Sequence, residues 1–280
     1  MKFNFFSLES TLLKKETIMR TWNRVLLVCL AATASALAIA AAVPGAGLNA
    51  TAHDFASASS GVLSTQIPPN TANSVGLCTY CHTPHSALSQ ALLWNHKLSA
   101  ATFTWDEAKT AGGTPYASMA PGYKGPTVKC LSCHDGTVAI GDINLYQEQS
   151  PVIRNTMQIT GMHQIASGGK LNGSHPVGMP YPFGGVASTY NTVTTGLDVV
   201  LTEFQAEPRT VGGANAKVKL YQTNTSGTPV GGATNGLTGI ECSSCHDPHN
   251  KQTTDELFLR GKVAGSTKED GYICLQCHIK

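Results

Sequence analysis

Eight of the nine cysteines in the 280-residue chain fall in one repeated pattern: CTYCH at 78–82, CLSCH at 130–134, CSSCH at 242–246 and CLQCH at 274–278. C-x-x-C-H is the attachment pattern for c-type haem. Its spacing has a physical basis: cysteines at i and i+3 share one side of a helical turn, about 5–6 Å apart, so both thiols reach the two vinyl groups of one porphyrin. The histidine that follows projects over the ring and binds the iron. On this reading Cys78, Cys81, Cys130, Cys133, Cys242, Cys245, Cys274 and Cys277 attach four haems, and His82, His134, His246 and His278 are the proximal ligands. Zinc needs four ligands per site and gives no reason for a histidine directly after each second cysteine. A thioredoxin-like centre would use one C-x-x-C on a βαβ scaffold, and a disulfide framework leaves the four histidines unexplained.

Haem iron has a second axial position, and its occupant decides whether the group carries electrons or binds a ligand. Six further histidines, His53, His85, His96, His163, His175 and His249, are enough for every haem to be low-spin and bis-histidine. His85 in CHTPH and His249 in CHDPH stand three residues past a proximal histidine and are stiffened by Pro84 and Pro248. Such a residue cannot swing to the opposite face of the same porphyrin, but it reaches a second haem alongside. Each doubled motif therefore predicts a close haem pair, with His85 expected on the iron of His134 and His249 on that of His278. The remaining two positions are open between His175, on a Gly- and Pro-flanked loop, His53, and His96, for which a core role is equally compatible. His163 has no distinctive context, and Met179 is the methionine best placed to displace a histidine.

Little regular structure is needed to position these groups. Arg20 and Arg24 precede an apolar, Ala-rich run from Val25 to Val43, then Pro44-Gly45-Ala46-Gly47 breaks any helix. Residues 1–50 thus read as an export signal cleaved near Ala50. Cys29 leaves with it, so the mature chain from residue 51 keeps eight cysteines. The repeat of doubled motif plus single motif predicts a first two-haem unit over 51–180, a haem-free Gly/Thr/Ser-rich insertion over 181–240 and a second two-haem unit over 241–280, in one compact mature domain. NAKVKLYQT at 215–223 alternates as a strand does, TSGTPVGG supplies a turn, and WDEA at 105–108 and TTDELFLR at 253–260 predict short helices. The expected fold class is a multihaem cytochrome c: mostly loops, short helices and a few short strands or hairpins around four covalently bound haems.

Composition agrees. Only 13% of residues are charged, with 19 Lys+Arg against 17 Asp+Glu, which excludes a basic nucleic-acid binder. A hydrophobic share of 41% with a net charge of +2 excludes a disordered chain. Phosphate-binding loops and nucleophile elbows are absent, so the chemistry belongs to the haem and the protein tunes it.

HDF at 53–55, CTYCHTPH, LWNH at 93–96, CLSCHDGTVAIGD at 130–142, SHPVG at 174–178, CSSCHDPHN and the terminal CLQCH together resemble the outer-surface multihaem c-type cytochromes of metal-reducing bacteria, most closely the tetrahaem, filament-forming outer-membrane cytochrome E type. The resemblance implies bis-histidine haems in a continuous stack. It also implies subunits that polymerise end to end, a histidine of one completing a haem of the next; His53, near the mature N-terminus, is the expected donor. Partners would be copies of the chain itself and other cytochromes or extracellular metal oxides.

The leading function is electron transfer by an exported protein, with haem attached in the periplasm and the product at the cell surface or outside it. The alternatives are a monomeric periplasmic shuttle and a haem reductase with one open iron. Because every mature cysteine is assigned to a thioether, reduction and alkylation of the purified protein should leave all eight unlabelled by mass spectrometry; any labelled motif cysteine would contradict the assignment.

Overall fold

A computed structural model describes residues 43–49, 51–55, 77–85, 87–88, 91–144, 158–195, 201–211, 217–255, 257–265, 267 and 269–279. Most of the expected leader, Cys29 included, lies outside them. Two α-helices are present among the described residues, α1 (Thr127–His134) and α2 (Cys242–Cys245), and both are haem motifs. The fourth motif forms a 3-10 turn over Ile273–Gln276. Short helical turns are what C-x-x-C-H requires, since nothing longer is needed to bring two cysteines to one side.

Among the described residues, besides short 3-10 turns, there are six strands of two or three residues: β1 (Met179–Pro180), β2 (Thr189–Tyr190), β3 (Val193–Thr194), β4 (Tyr221–Thr223), β5 (Pro229–Gly231) and β6 (Thr238–Ile240). They form an antiparallel sheet in the order β1-β6-β4-β5 and a separate β2-β3 hairpin. The turn predicted in TSGTPVGG joins β4 to β5, pairing Tyr221 with Gly231 and Thr223 with Pro229. Pro180 and Tyr221 both sit opposite Gly239 of β6. The sheet thereby serves the haem motifs: β6 runs straight into α2, and β1 follows the His175 loop.

Two expectations fail. WDEA is a bend, and the described residues of TTDELFLR, 253–255 and 257–260, form an irregular hairpin-like loop, neither of them helical. In both, local propensity loses to long-range pairing: Asp106 N–H donates to Asn172 Oδ1 at 3.1 Å, and Arg260 N–H to Cys245 O at 2.8 Å.

Among the described residues apolar packing is divided into three small clusters, each containing or touching motif residues. One holds Phe103, Trp105, Met119, Leu131 and Leu171 with Val128 of α1. A second joins Tyr80 and Cys81 of the first motif to Ile140 and Ile143. The third sets Tyr181, Val218 and Leu220 against Cys245 and Cys277. A chain of this size ordinarily gathers one contiguous core; three islands fit a core completed by something other than side chains. Among the described residues no helix is long and apolar enough to cross a membrane.

Gly239 shows how tightly the sheet meets the motifs. A Cβ there would collide with the ring of Tyr190 and approach Met179 O to 2.6 Å. Gly239→Ala should therefore destabilise the protein by about 1–3 kcal/mol, the usual cost of overpacking, measured as a lowered denaturant midpoint; unchanged stability would contradict the packing described.

Candidate haem-binding site

Three of the four proximal histidines are held in the same way. His82 Nδ1 lies 2.6 Å from Leu92 O, His134 Nδ1 2.8 Å from His163 O and His246 Nδ1 2.9 Å from Leu257 O. A carbonyl oxygen only accepts, so each Nδ1 donates its proton and each Nε2 keeps a lone pair, the tautomer that binds metal.

The first and third motifs build this contact from equivalent hairpins. After His82, Thr83 N–H donates to Leu93 O and Asn95 N–H to Cys81 O, both at 2.9 Å. After His246, Asp247 N–H donates to Phe258 O at 2.7 Å and Arg260 N–H to Cys245 O at 2.8 Å. Leu93 and Phe258 occupy the left-handed region, with φ of 50° and 61°, at a cost of roughly 1–3 kcal/mol each. This repeated, strained hairpin presents the carbonyl that orients the imidazole. Its only trace in the sequence is an apolar triplet, LLW at 92–94 and LFL at 257–259, at a similar distance after the motif histidine.

A second histidine ring faces three of the proximal rings. Ring centres lie 6.1 Å apart for His82 and His249, 6.2 Å for His53 and His134 and 6.3 Å for His175 and His278. Such gaps are too wide for ring-on-ring contact. They match the span of one metal ion between two imidazoles: two metal–nitrogen bonds of the usual ~2.0–2.1 Å plus the two ring radii come to roughly 6.3 Å. The angles between ring planes, 22°, 59° and 63°, are all compatible with this, because rings sharing one axis through the metal can take any dihedral angle about it.

The surroundings fit an apolar macrocycle. Large hydrophobic side chains lie open beside each proximal histidine: Leu92 (58% exposed) by His82, Met162 (85%) next to His163, whose carbonyl accepts from His134, Leu257 (57%) by His246 and Ile279 (50%) by His278. The thiols fit as well. Burial pushes Cys81 up to about 11 and Cys133, Cys245 and Cys277 up to about 12. Thiols held protonated are poor metal ligands, whereas thioether attachment leaves no anionic sulfur to stabilise. Among the described residues no three His, Cys, Asp or Glu side chains converge as a zinc site would require.

The non-motif histidines do not fall as their spacing suggests. His249 faces His82 in place of His278, and His53 occupies the position opposite His134 expected for His85. His53 thus lies against a haem motif of its own chain, packed on Phe258 with ring centres 5.0 Å apart. Burial there, with His134 close by, pushes its pKa down to about 4, so the ring is neutral and fit to ligate over most of the pH range. His175 faces His278. His96 is 2% exposed, and its ring nitrogens meet Lys97 O at 2.8 Å and Ala139 O at 2.9 Å, with Cys133 Sγ at 3.5 Å; both nitrogens are turned to backbone carbonyls, and the ring packs against the second motif. His163 contributes its carbonyl. Met179 is buried in β1, where its sulfur accepts from Ala117 N–H at 3.4 Å. His85 is exposed, and no histidine ring among the described residues faces His246.

The family described as the doubled CXXCH motif matches residues 236–280. The chain is also 26% identical over 192 residues to the C-type cytochrome OmcS of Geobacter sulfurreducens, an alignment covering 68% of this chain and 36% of that protein, so the chain spans only about a third of its relative's length. The doubled motif and the similarity to a c-type cytochrome are in keeping with covalently bound haem c at the C-x-x-C-H sites.

The ring pairs separate ligands from bystanders. His53→Ala, His175→Ala and His249→Ala should each convert one low-spin ferric haem to high-spin, visible in absorption and electron paramagnetic resonance spectra, while His96→Ala and His163→Ala leave the spectrum low-spin. Unchanged low-spin spectra in the first three would contradict the assignment.

Proposed function

We propose that the chain is an electron conduit carrying four bis-histidine c-type haems, exported to the cell surface and assembled end to end with copies of itself. The observation that carries this reading is the set of three histidine pairs with ring centres 6.1–6.3 Å apart, each joining one motif histidine to one histidine from elsewhere in the chain. Haem so held supplies a one-electron couple; with both axial positions filled, it offers no site for a substrate. The protein's part is to attach and orient. Cys78 and Cys81, Cys130 and Cys133, Cys242 and Cys245, and Cys274 and Cys277 would form the thioethers. His82 with His249, His134 with His53 and His278 with His175 would fill three pairs of axial positions, and the carbonyls of Leu92, His163 and Leu257 fix ring orientation.

The pairing also links the two halves of the sequence. His53 reaches the second motif from the N-terminal arm, whereas His249, beside the third motif, reaches back to the first. Haems held by such a short segment would be held close together, which favours rapid electron transfer.

The fourth position supports assembly between subunits. His246 has its Nδ1 committed to Leu257 O and, among the described residues, no histidine opposite, while His85, exposed and three residues past His82, faces no proximal ring of its own chain. The reading assigns His85 of one subunit to the His246 haem of the next, in the role that its N-terminal position suggests for His53. Sparse charge favours association of copies. Electrons would pass to other cytochromes or to extracellular metal oxides.

Electron micrographs of native material should show filaments, and His85→Ala should yield separate subunits with one high-spin haem each. Filaments persisting in His85→Ala, or native monomers with four low-spin haems, would overturn the assembly.

A further inference from the structure

The second and third haem motifs meet at a buried carboxylate that none of the ligand assignments uses. Glu241, the residue before Cys242, is 1% exposed. Its Oε1 accepts from the hydroxyls of Tyr123 and, at 2.7 Å, Tyr190; its Oε2 accepts from Thr127 N–H at 3.1 Å. Thr127 opens α1, three residues before Cys130. In return Thr127 Oγ1 accepts from Cys242 N–H at 3.0 Å. Each haem-bearing helix therefore satisfies an orphan N–H at the start of the other. Glu241 N–H is itself held by Ser244 Oγ at 2.9 Å.

The setting is built tightly around this group. A Cβ on Gly125 would come within 2.5 Å of Glu241 Oε1, and one on Gly239 would strike Tyr190, so glycine is required at two points in the wall. No cation pairs with the carboxylate within 4 Å among the described residues; the ion pairs there involve other groups. Lys129, the third residue of α1 and 6% exposed, interacts with it through space. Neutral donors steady an anion without cancelling its net charge, and in a low-dielectric interior that charge acts on its neighbours with little screening. Those neighbours are Cys242, which interacts with both Glu241 and Cys130, and through it Cys130 itself.

We infer that Glu241 is a positioning residue that locks the second and third haem motifs together and, as a buried anion beside both attachment points, holds those two haems at lower reduction potential than the haems of the first and fourth motifs. The inference rests on the four-haem reading above. Its sign follows from charge: a bis-histidine ferric haem carries one more positive charge than the ferrous form, so a nearby anion favours the ferric state. Burial raises the carboxyl's affinity for a proton, while Thr127, Tyr123 and Tyr190 oppose that rise by bonding the ionised form. The comparison therefore belongs at alkaline pH, with Tyr123, Tyr190 and Tyr221 still neutral because burial raises all three phenols.

The test is a spectroelectrochemical titration of the holoprotein. Glu241→Gln keeps the shape and removes the charge; two of the four midpoints should move up and the other two stay. Tyr190→Phe strips one donor and leaves the anion less compensated, so the same two midpoints should move down. If Glu241→Gln does not retain its haems, Tyr190→Phe decides alone. Four unmoved midpoints, or four moving together, would overturn the inference. A wild-type haem count other than four would instead overturn the reading beneath it.

Discussion

A proton on Nδ1 is the constraint from which the rest of this structure follows. Imidazole binds iron only through a nitrogen with a free lone pair, and a backbone carbonyl at the other nitrogen makes that choice once and permanently. Leu92, His163 and Leu257 supply such carbonyls to His82, His134 and His246 from 10, 29 and 11 residues further along the chain. Each carbonyl demands a loop that returns to its motif at one place, and two of those loops accept left-handed backbone at Leu93 and Phe258 to do so. The irregularity of the fold is thus the shape of the supports.

The same constraint explains the divided core. Three apolar islands, each containing or touching motif residues, would be a poor design for a chain that had to bury itself with side chains alone. They suit a chain whose largest apolar bodies are added after synthesis and fixed by covalent bonds. Open leucines beside the histidines are then surfaces awaiting cover. Part of the regular structure lies at the motifs themselves. The helices α1 and α2 present cysteines, and the four-stranded sheet sets the start of α2 against the loop bearing His175.

How much of this is legible in sequence depends on how local the signal is. The four C-x-x-C-H motifs, the hairpin at TSGTPVGG and the loop-rich fold class can be read directly, because each is encoded within a few neighbouring residues. Axial pairing cannot. His85 and His249 have the same spacing from a proximal histidine and both are exposed, yet only His249 faces His82, a difference set by where the chain returns. His96 looks available in sequence because LWNH gives no hint that Lys97 and Ala139 carbonyls enclose the ring. TTDELFLR has helical composition, but Cys245 and His246 capture its backbone for the supporting hairpin. Glu241 is invisible for the same reason: Tyr123, Thr127 and Tyr190 are 51 to 118 positions away from it.

The central claim is that the facing histidine rings are axial pairs sharing one iron. A density map of the purified holoprotein tests it most directly. The account predicts an iron centred between His82 and His249, between His53 and His134, and between His175 and His278, each inside a porphyrin joined to the adjacent cysteines. A map in which those rings bind different irons, or in which His96 or His163 occupies an axial position, would contradict it.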